Sequence, residues 1–276
     1  MNIFFNSKKE YQKAKSGGYA IGAFNTSNLE ITQAICKAAR ELKAPVIIQT
    51  TPSAIEYAGL GQIFDIVKNE IENQKVSGAI HLDHGKDFGL VKKCIDMGFG
   101  SVMIDGSYLE HEENIHITKR IVNLAAEHGV CVEAEIGRIS KEEGGELSHK
   151  GAKTDPMEAK EFVEKTGIDI LAVSVGNEHG APKGERLDLE LLKEISKTVN
   201  TPLVIHGSSG LSRNDIKEAI KLGVVKFNID TNIRHAFSES VEDSSSDDPR
   251  EVMTAGKDAV TKLVMDYIEL FGTAGK

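Results

Sequence analysis

Eight short apolar runs punctuate this 276-residue chain, at residues 19–24, 45–49, 76–82, 100–105, 130–136, 169–175, 201–205 and 224–229. They are rich in Val, Ile and Ala and lack the polar alternation of a strand with one wet face. Strands covered on both faces read this way. Amphipathic helical patterns fill the gaps, at 29–42, 61–71, 90–97, 113–127, 155–165, 188–199, 213–221 and 232–241, and a last helix is expected at 252–271. Several helix starts carry capping chemistry. Asn28 stands just ahead of the 29–42 pattern, Ser212 precedes Asp215 by three, and Thr154-Asp155-Pro156 puts a proline in an early helical turn.

Strands and helices that alternate in this way pair in parallel through right-handed crossovers. The closed solution is the α/β (β/α)8, or TIM, barrel, which one domain of this length accommodates. An open doubly wound sheet usually carries a Gly-rich turn after its first strand, and here that place is Asn25-Thr26-Ser27-Asn28. The barrel is therefore the expected fold, as a single domain over residues 1–276. Two segments fall outside the alternation. Residues 138–154 are charged and Gly-rich, which predicts a mobile functional loop or a disordered one. Residues 239–248, ESVEDSSSDD, read as a solvated acidic loop.

Composition excludes several classes of partner. The formal net charge is −9 and there is no basic run, which argues against nucleic acid because phosphate backbones call for clustered Lys and Arg. An anionic substrate would have to be attracted locally. Cys36, Cys94 and Cys131 are widely spaced and odd in number, so neither a disulfide framework nor a Cys-x-x-Cys site is expected. The start, MNIFFNSKKEYQKAK, lacks the long apolar segment of a signal peptide, and no apolar run is long enough to span a membrane. A cytoplasmic protein is expected.

Active sites of such barrels lie at the C-terminal ends of the strands. Three runs end there in a histidine followed by glycine: His84-Gly85, His179-Gly180 and His206-Gly207. Three imidazoles leave a tetrahedral divalent ion one open position, the pattern of a catalytic metal site. Three unrelated histidines are the plain alternative, and three at corresponding strand ends make it a poor one. His81 lies inside its strand and is expected to pack, and His111, His116, His128, His149 and His235 have no comparable placement. Asp83 has two readings, a carboxylate that orients a ligand imidazole or a general acid/base beside the metal. Glu133 and Glu135 should share a face, with one a metal ligand or a group behind a ligand; an ion pair with a nearby lysine is the alternative. The His206-Gly207-Ser208-Ser209-Gly210 loop just before a helix suits a phosphate, and Asn228-Ile229-Asp230-Thr231 at the next strand end strengthens that reading.

These segments, with Gly22–Asn25, Val102–Ser107, Val132–Gly137, Gly176–Gly180 and Asp248-Pro249-Arg250, give the whole chain a resemblance to the class II, metal-dependent ketose-bisphosphate aldolases, the fructose-1,6-bisphosphate and tagatose-1,6-bisphosphate enzymes. The resemblance implies catalytic Zn²⁺ on His84, His179 and His206, with Asp83 moving the proton of the reacting hydroxyl. Glu143, in the 138–154 loop, matches the acid that handles the proton at the enediolate carbon. Gly180, Lys183, Gly207, Ser209, Asp230 and Thr231 match the cradle of the dihydroxyacetone phosphate phosphate, and Asn228 matches a contact to the enediolate. Asn25, Thr51 and Arg250 match the end that holds the second phosphate, while Glu135 and Asp105 match positions that meet a second or displaced metal ion. A monovalent cation, Na⁺ or K⁺, and a homodimer or homotetramer are also implied. Ser208 stands where the family usually has a second glycine, Thr51 where it commonly has serine, and Glu178 is a less usual neighbour of the histidine.

The reaction implied is cleavage of a phosphorylated sugar substrate to two triose phosphates, with either C4 epimer open. A metal-dependent barrel hydrolase and a non-catalytic binding barrel are the competing readings. The intact Asp83 and three histidines weigh against the latter.

Overall fold

A computed structural model describes residues 5–143, 146–149, 151–180 and 186–276 of the chain, with the backbone alone for residues 140–143 and 146–149. The chain begins with α1 (Ser7–Gly17), capped by Asn6, whose side chain accepts from the Lys9 amide. This helix is not evident from the sequence pattern, because its buried positions are only Ser7, Tyr11 and Ala14 on an otherwise polar surface. The stripe is too narrow to register as amphipathic.

Then follow β1 (Ile21–Asn25), α2 (Leu29–Leu42), β2 (Val46–Thr50), α3 (Pro52–Ala58), α4 (Leu60–Gln74), β3 (Gly78–Gly85), α5 (Phe88–Met97), β4 (Ser101–Ile104), α6 (His111–His128) and β5 (Cys131–Ile136). The second half runs β6 (Ser140–Glu143), β7 (Glu146–His149), α7 (Pro156–Thr166), β8 (Ile170–Val173), β9 (Glu178–His179), α8 (Leu189–Thr198), β10 (Leu203–Ile205), α9 (Arg213–Lys221), β11 (Val224–Ile229), α10 (Thr231–Glu242) and α11 (Pro249–Phe271). The expected caps form: Asn28 accepts from the Ile31 amide and Ser212 from Asp215, and Pro156 takes the first position of α7 behind Asp155, which accepts from Met157 and Glu158. The short α3 was not expected; Thr51 caps it with Pro52 as its first residue.

The eight expected strands close a parallel barrel in the order β1-β11-β10-β8-β5-β4-β3-β2. A closed barrel has two faces to cover. Outward residues such as Phe24, Ile48, Ile80, Val102, Val132 and Ile205 join the helices in one large apolar core. Inward residues Ile21, Ala23, Ile47, Cys131, Ile170, Ala172, Val204 and Val225 form a second, smaller core at the N-terminal end of the barrel, and Tyr11 and Ala14 of α1 plug it. Above that layer the interior turns polar, with Gln49, His81, Glu133, Lys226 and His206 all fully buried. Strand β5 shows the division: Val132, Ala134 and Ile136 face the helices, while Cys131, Glu133 and Glu135 line the interior.

Within residues 138–154, β6 and β7 pair as an antiparallel hairpin and β6 also pairs in parallel with β9. One expectation is corrected. The acidic stretch 239–248 is only partly a loop, because Glu239 to Glu242 complete the last turn of α10. C-terminal α11 returns to the barrel, where Phe271 stacks on Phe227 at 5.1 Å between ring centroids and Thr273 donates to the Ala20 carbonyl.

The Tyr11 plug is testable. Tyr11→Ala, measured by chemical denaturation, is expected to cost about 3–5 kcal/mol, as other buried aromatic truncations do. A loss below about 1 kcal/mol would mean the barrel floor does not need it.

Candidate active site

Neighbouring residues of a strand normally point to opposite faces. Asp83 and His84 nevertheless both reach the mouth of the barrel, because His84 takes a left-handed backbone with φ 50° and the β3–β4 register breaks between Leu82 and Gly85. Such a conformation costs a non-glycine residue free energy and marks a site that holds it for a purpose. It puts the carboxylate of Asp83 4.0 Å from His84 Nε2.

The imidazoles of His84 and His206 are each gripped from behind. His84 Nδ1 lies 2.8 Å from Asp105 Oδ2, and Asp105 also accepts from the amide and hydroxyl of Ser107. His206 Nε2 lies 2.7 Å from Glu133 Oε1, and Glu133 pairs with the buried ammonium of Lys226 at 2.8 and 3.1 Å. An ionised carboxylate only accepts, so each of those ring nitrogens donates. The other two, His84 Nε2 and His206 Nδ1, then face each other as bare lone pairs 3.0 Å apart. Two lone pairs at that distance require a cation between or beside them, a proton or a metal ion. Asp83, His84 and His206 bring one ligand atom each within 4.8 Å of one another. The His179 ring stands edge-on to His84 at 5.2 Å between centroids, so it joins the cluster through His84 rather than as part of its tightest set. Glu135 completes the surroundings: its buried Oε2 has no hydrogen-bond partner and lies 3.6 Å from His206 Nδ1. The donor set and this orphaned oxygen fit a divalent metal.

The electrostatics agree. Burial pulls the His84 imidazole down, but Asp83, Asp105 and Glu135 outweigh it and hold it up at about 10. Burial, together with the Asp105 charge, lifts the Glu135 carboxyl to about 8. His179 is pushed down to about 3 by burial and by the neighbouring His84 and His206. Without a metal, the site keeps a proton instead.

Asp83 is held in place by three amides. Its Oδ2 accepts from Asn25 and Gln49 at 3.0 and 3.2 Å, and its Oδ1 from Asn228 at 2.9 Å. Gln49, Lys226 and the cleft-lining Lys86 and Arg138 did not emerge as candidates from the sequence. For the first two the signal was a polar residue inside an apolar strand, VIIQT and VVKFNI.

The cleft above these groups has a volume of about 1110 Å³. Asn25, Thr51, Asp83, His84, Asp105, Glu135, His179, Gly180, Gly207, Ser209, Asn228, Asp230 and Thr231 all line it, and His206 lies fully buried beneath. Gly207 has φ 61°, and a Cβ there would run into the Glu178 carbonyl, so only glycine lets the two loops approach. Ser208 keeps its side chain out of the way by donating to the Ile205 carbonyl. Asp230 and Thr231 open α10 at the end of β11.

Arg250 is not brought to this cleft. Its exposed side chain pairs with Asp248 two residues away, because both sit at the start of α11. Lys183 lies outside the described residues, as does the side chain of Glu143, whose backbone ends β6. The hairpin is nonetheless tied to the site, since Lys141 of β6 pairs with His179 of β9.

The model of the family described as "Fructose-bisphosphate aldolase class-II" matches residues 5–276. The chain belongs to the class II fructose-bisphosphate aldolase family. Among relatives of this aldolase, fructose-bisphosphate aldolase from Thermus caldophilus is 40% identical, over 96% of this chain and 97% of its own. The Geobacillus stearothermophilus fructose-bisphosphate aldolase is 40% identical over 98% and 97%. The crystal structure of the YdjI aldolase from Escherichia coli K12 superposes with a TM-score of 0.88 at 32% identity, covering 99% of this chain and 98% of that one. That of the fructose-bisphosphate aldolase from Campylobacter jejuni gives 0.83 at 25% identity, over 98% and 96%.

The proton held in the metal-free aldolase has a measurable consequence. His84 and Glu135 both have raised pKa values, at about 10 and about 8, so the stability they contribute is complete below their ordinary values and is lost as pH rises through the raised ones. The melting temperature of chelator-treated protein is expected to fall between about pH 7 and 9.5, with a shallower slope after metal is restored. A flat or rising metal-free profile would contradict this account of the site.

Proposed function

We propose that this aldolase reversibly cleaves a ketose 1,6-bisphosphate, fructose 1,6-bisphosphate above all, to dihydroxyacetone phosphate and glyceraldehyde 3-phosphate. The observation that carries the proposal is the fixed Asp83 carboxylate 4.0 Å from His84 Nε2, at the floor of a cleft large enough for a bisphosphate. In this reading His84, His179 and His206 hold Zn²⁺. When bound, the ion supplies a Lewis acid for the negative charge that develops on the C2 oxygen as the C3–C4 bond breaks.

The chain's own residues do the rest. Asp83 takes the C4 hydroxyl proton in cleavage and returns it in synthesis. Asn25, Gln49 and Asn228 hold that carboxylate still, and with all three amides donating to it, it remains an acceptor. Gly180, Gly207, Ser209 and the opening turn of α10 at Asp230 and Thr231 receive one phosphate on backbone N–H groups, with Lys183 as their cationic partner. Thr51 serves the far end of the cleft. Asn228, beside Asp83 at the cleft, is also a contact for the enediolate. Glu143 handles the proton at the enediolate carbon. Asp105 acts on the metal through His84, and Glu135 offers a carboxylate for a second metal position. Family membership also supports a monovalent cation near the phosphate and a homodimer or homotetramer. The three free, buried cysteines suit a reducing cytoplasm, and among the described residues no helix is long and apolar enough to cross a membrane.

A coupled assay for triose phosphates tests the reading, run with fructose and tagatose bisphosphates side by side. Activity is expected with zinc and should vanish with a chelator; release of inorganic phosphate without triose phosphates would point to a hydrolase instead. Asp83→Ala is expected to lower kcat by about 10²–10⁴-fold while zinc content stays at the parent level. Borohydride added with substrate should trap nothing, and a covalent lysine adduct would refute the metal mechanism.

A further inference from the structure

The Glu133–Lys226 ion pair has no exposed atom to speak of: both side chains and that of His206 show 0% exposure. Burying two charges is costly, and apolar residues of similar volume would often be as stable or more so. The pair therefore calls for a reason other than stability. Its position suggests one. Glu133 lies on β5 and Lys226 on β11, three places apart in the ring with β10 and β8 between them, and their side chains meet behind His206 at the end of β10.

Hydrogen-bond counting defines what the pair does. The Lys226 ammonium has donors only, and it reaches both oxygens of Glu133, at 2.8 Å and 3.1 Å. Glu133 is thereby kept as a pure acceptor, and its Oε1 sits 2.7 Å from His206 Nε2. That nitrogen must carry the ring proton. His206 Nδ1 is left bare, on the side that faces His84 Nε2. We propose that Lys226 and Glu133 are positioning residues whose joint role is to dictate the tautomer of His206, so that Nδ1 and not Nε2 is offered to the metal. This rests on the reading of His206 as a zinc ligand. Lys226 never touches the metal in this scheme; it acts through Glu133 and then through the imidazole. Remove the ammonium and its carboxylate partner together, and no ionised acceptor behind the ring holds the proton on Nε2.

The variants separate this role from a structural one. Glu133→Gln/Lys226→Met removes both charges at once, so no buried ion is left alone. Its glutamine can offer either a carbonyl or an amide to His206 Nε2, and the tautomer is no longer prescribed. The metal-free double variant is expected to melt at or above the parent temperature, yet to bind zinc about 10–100-fold more weakly in a chelator competition. A folded double variant whose zinc affinity stays within about twofold of the parent overturns the proposal, since the effect expected of such a group is at least tenfold. If the parent itself takes up no zinc, the reading of the three histidines fails, which is a different result. Should the double variant not fold, long-range ¹⁵N spectra of histidine-labelled, metal-free parent decide the matter. His206 is expected with its proton on Nε2, and a proton on Nδ1 would overturn the assignment.

Discussion

Closing eight strands into a ring leaves a single interior that every strand must help to fill. That constraint organises this protein. At the N-terminal end the ring is packed with small and branched apolar side chains and stoppered by Tyr11 from outside the barrel. Toward the C-terminal end the same inward positions carry Gln49, His81, Glu133, Lys226 and His206, with no water-facing atoms to relieve them. Most buried polar groups of a folded protein find a hydrogen-bond partner. The network is the consequence: each charged or polar group in it is held by a neighbour on another strand.

The chemistry grows out of that network. In a dry interior Lys226 neutralises Glu133, and Glu133 and Asp105 each accept a hydrogen bond from a ring N–H, which turns the other imidazole nitrogens of His206 and His84 toward each other. Preorganised acceptors in a water-poor pocket interact far more strongly with a metal or a developing charge than they would in solvent. The amide clamp on Asp83 follows the same logic, since a base that must take a proton from one particular hydroxyl gains from being unable to wander. The left-handed backbone of His84 is the local cost of the arrangement, and it allows two consecutive side chains to serve one site.

Much of this was legible without coordinates. Eight doubly covered strands, a ring rather than an open sheet, and a polar rim at the strand ends all follow from apolar runs and from the chemistry of the residues that end them. The three histidines stand out because each terminates a run and is followed by glycine. The parts that were not legible share a cause. The α1 helix hides because one tyrosine and one alanine do its packing. The β6–β7 hairpin hides because its residues are charged and its pairing partner, β9, is two residues long. Gln49 and Lys226 sit in plain sight within apolar strands, but their meaning depends on which groups from other strands they meet.

The order of residues thus determined the kind of fold, the end of the barrel that carries chemistry, and the side chains able to perform it, because periodicity and strand ends are local properties of the chain. Only the tertiary structure decided how those side chains pair. Barrel closure turns side chains of β5, β11 and the end of β10 into one interior, so that Glu133, Lys226 and His206 form one unit. It also fixes the Asn25, Gln49 and Asn228 amides around Asp83, and leaves Arg250 on Asp248 rather than in the cleft. Contacts between residues a hundred positions apart are set by where the strands sit in the ring, and spacing along the chain does not encode that.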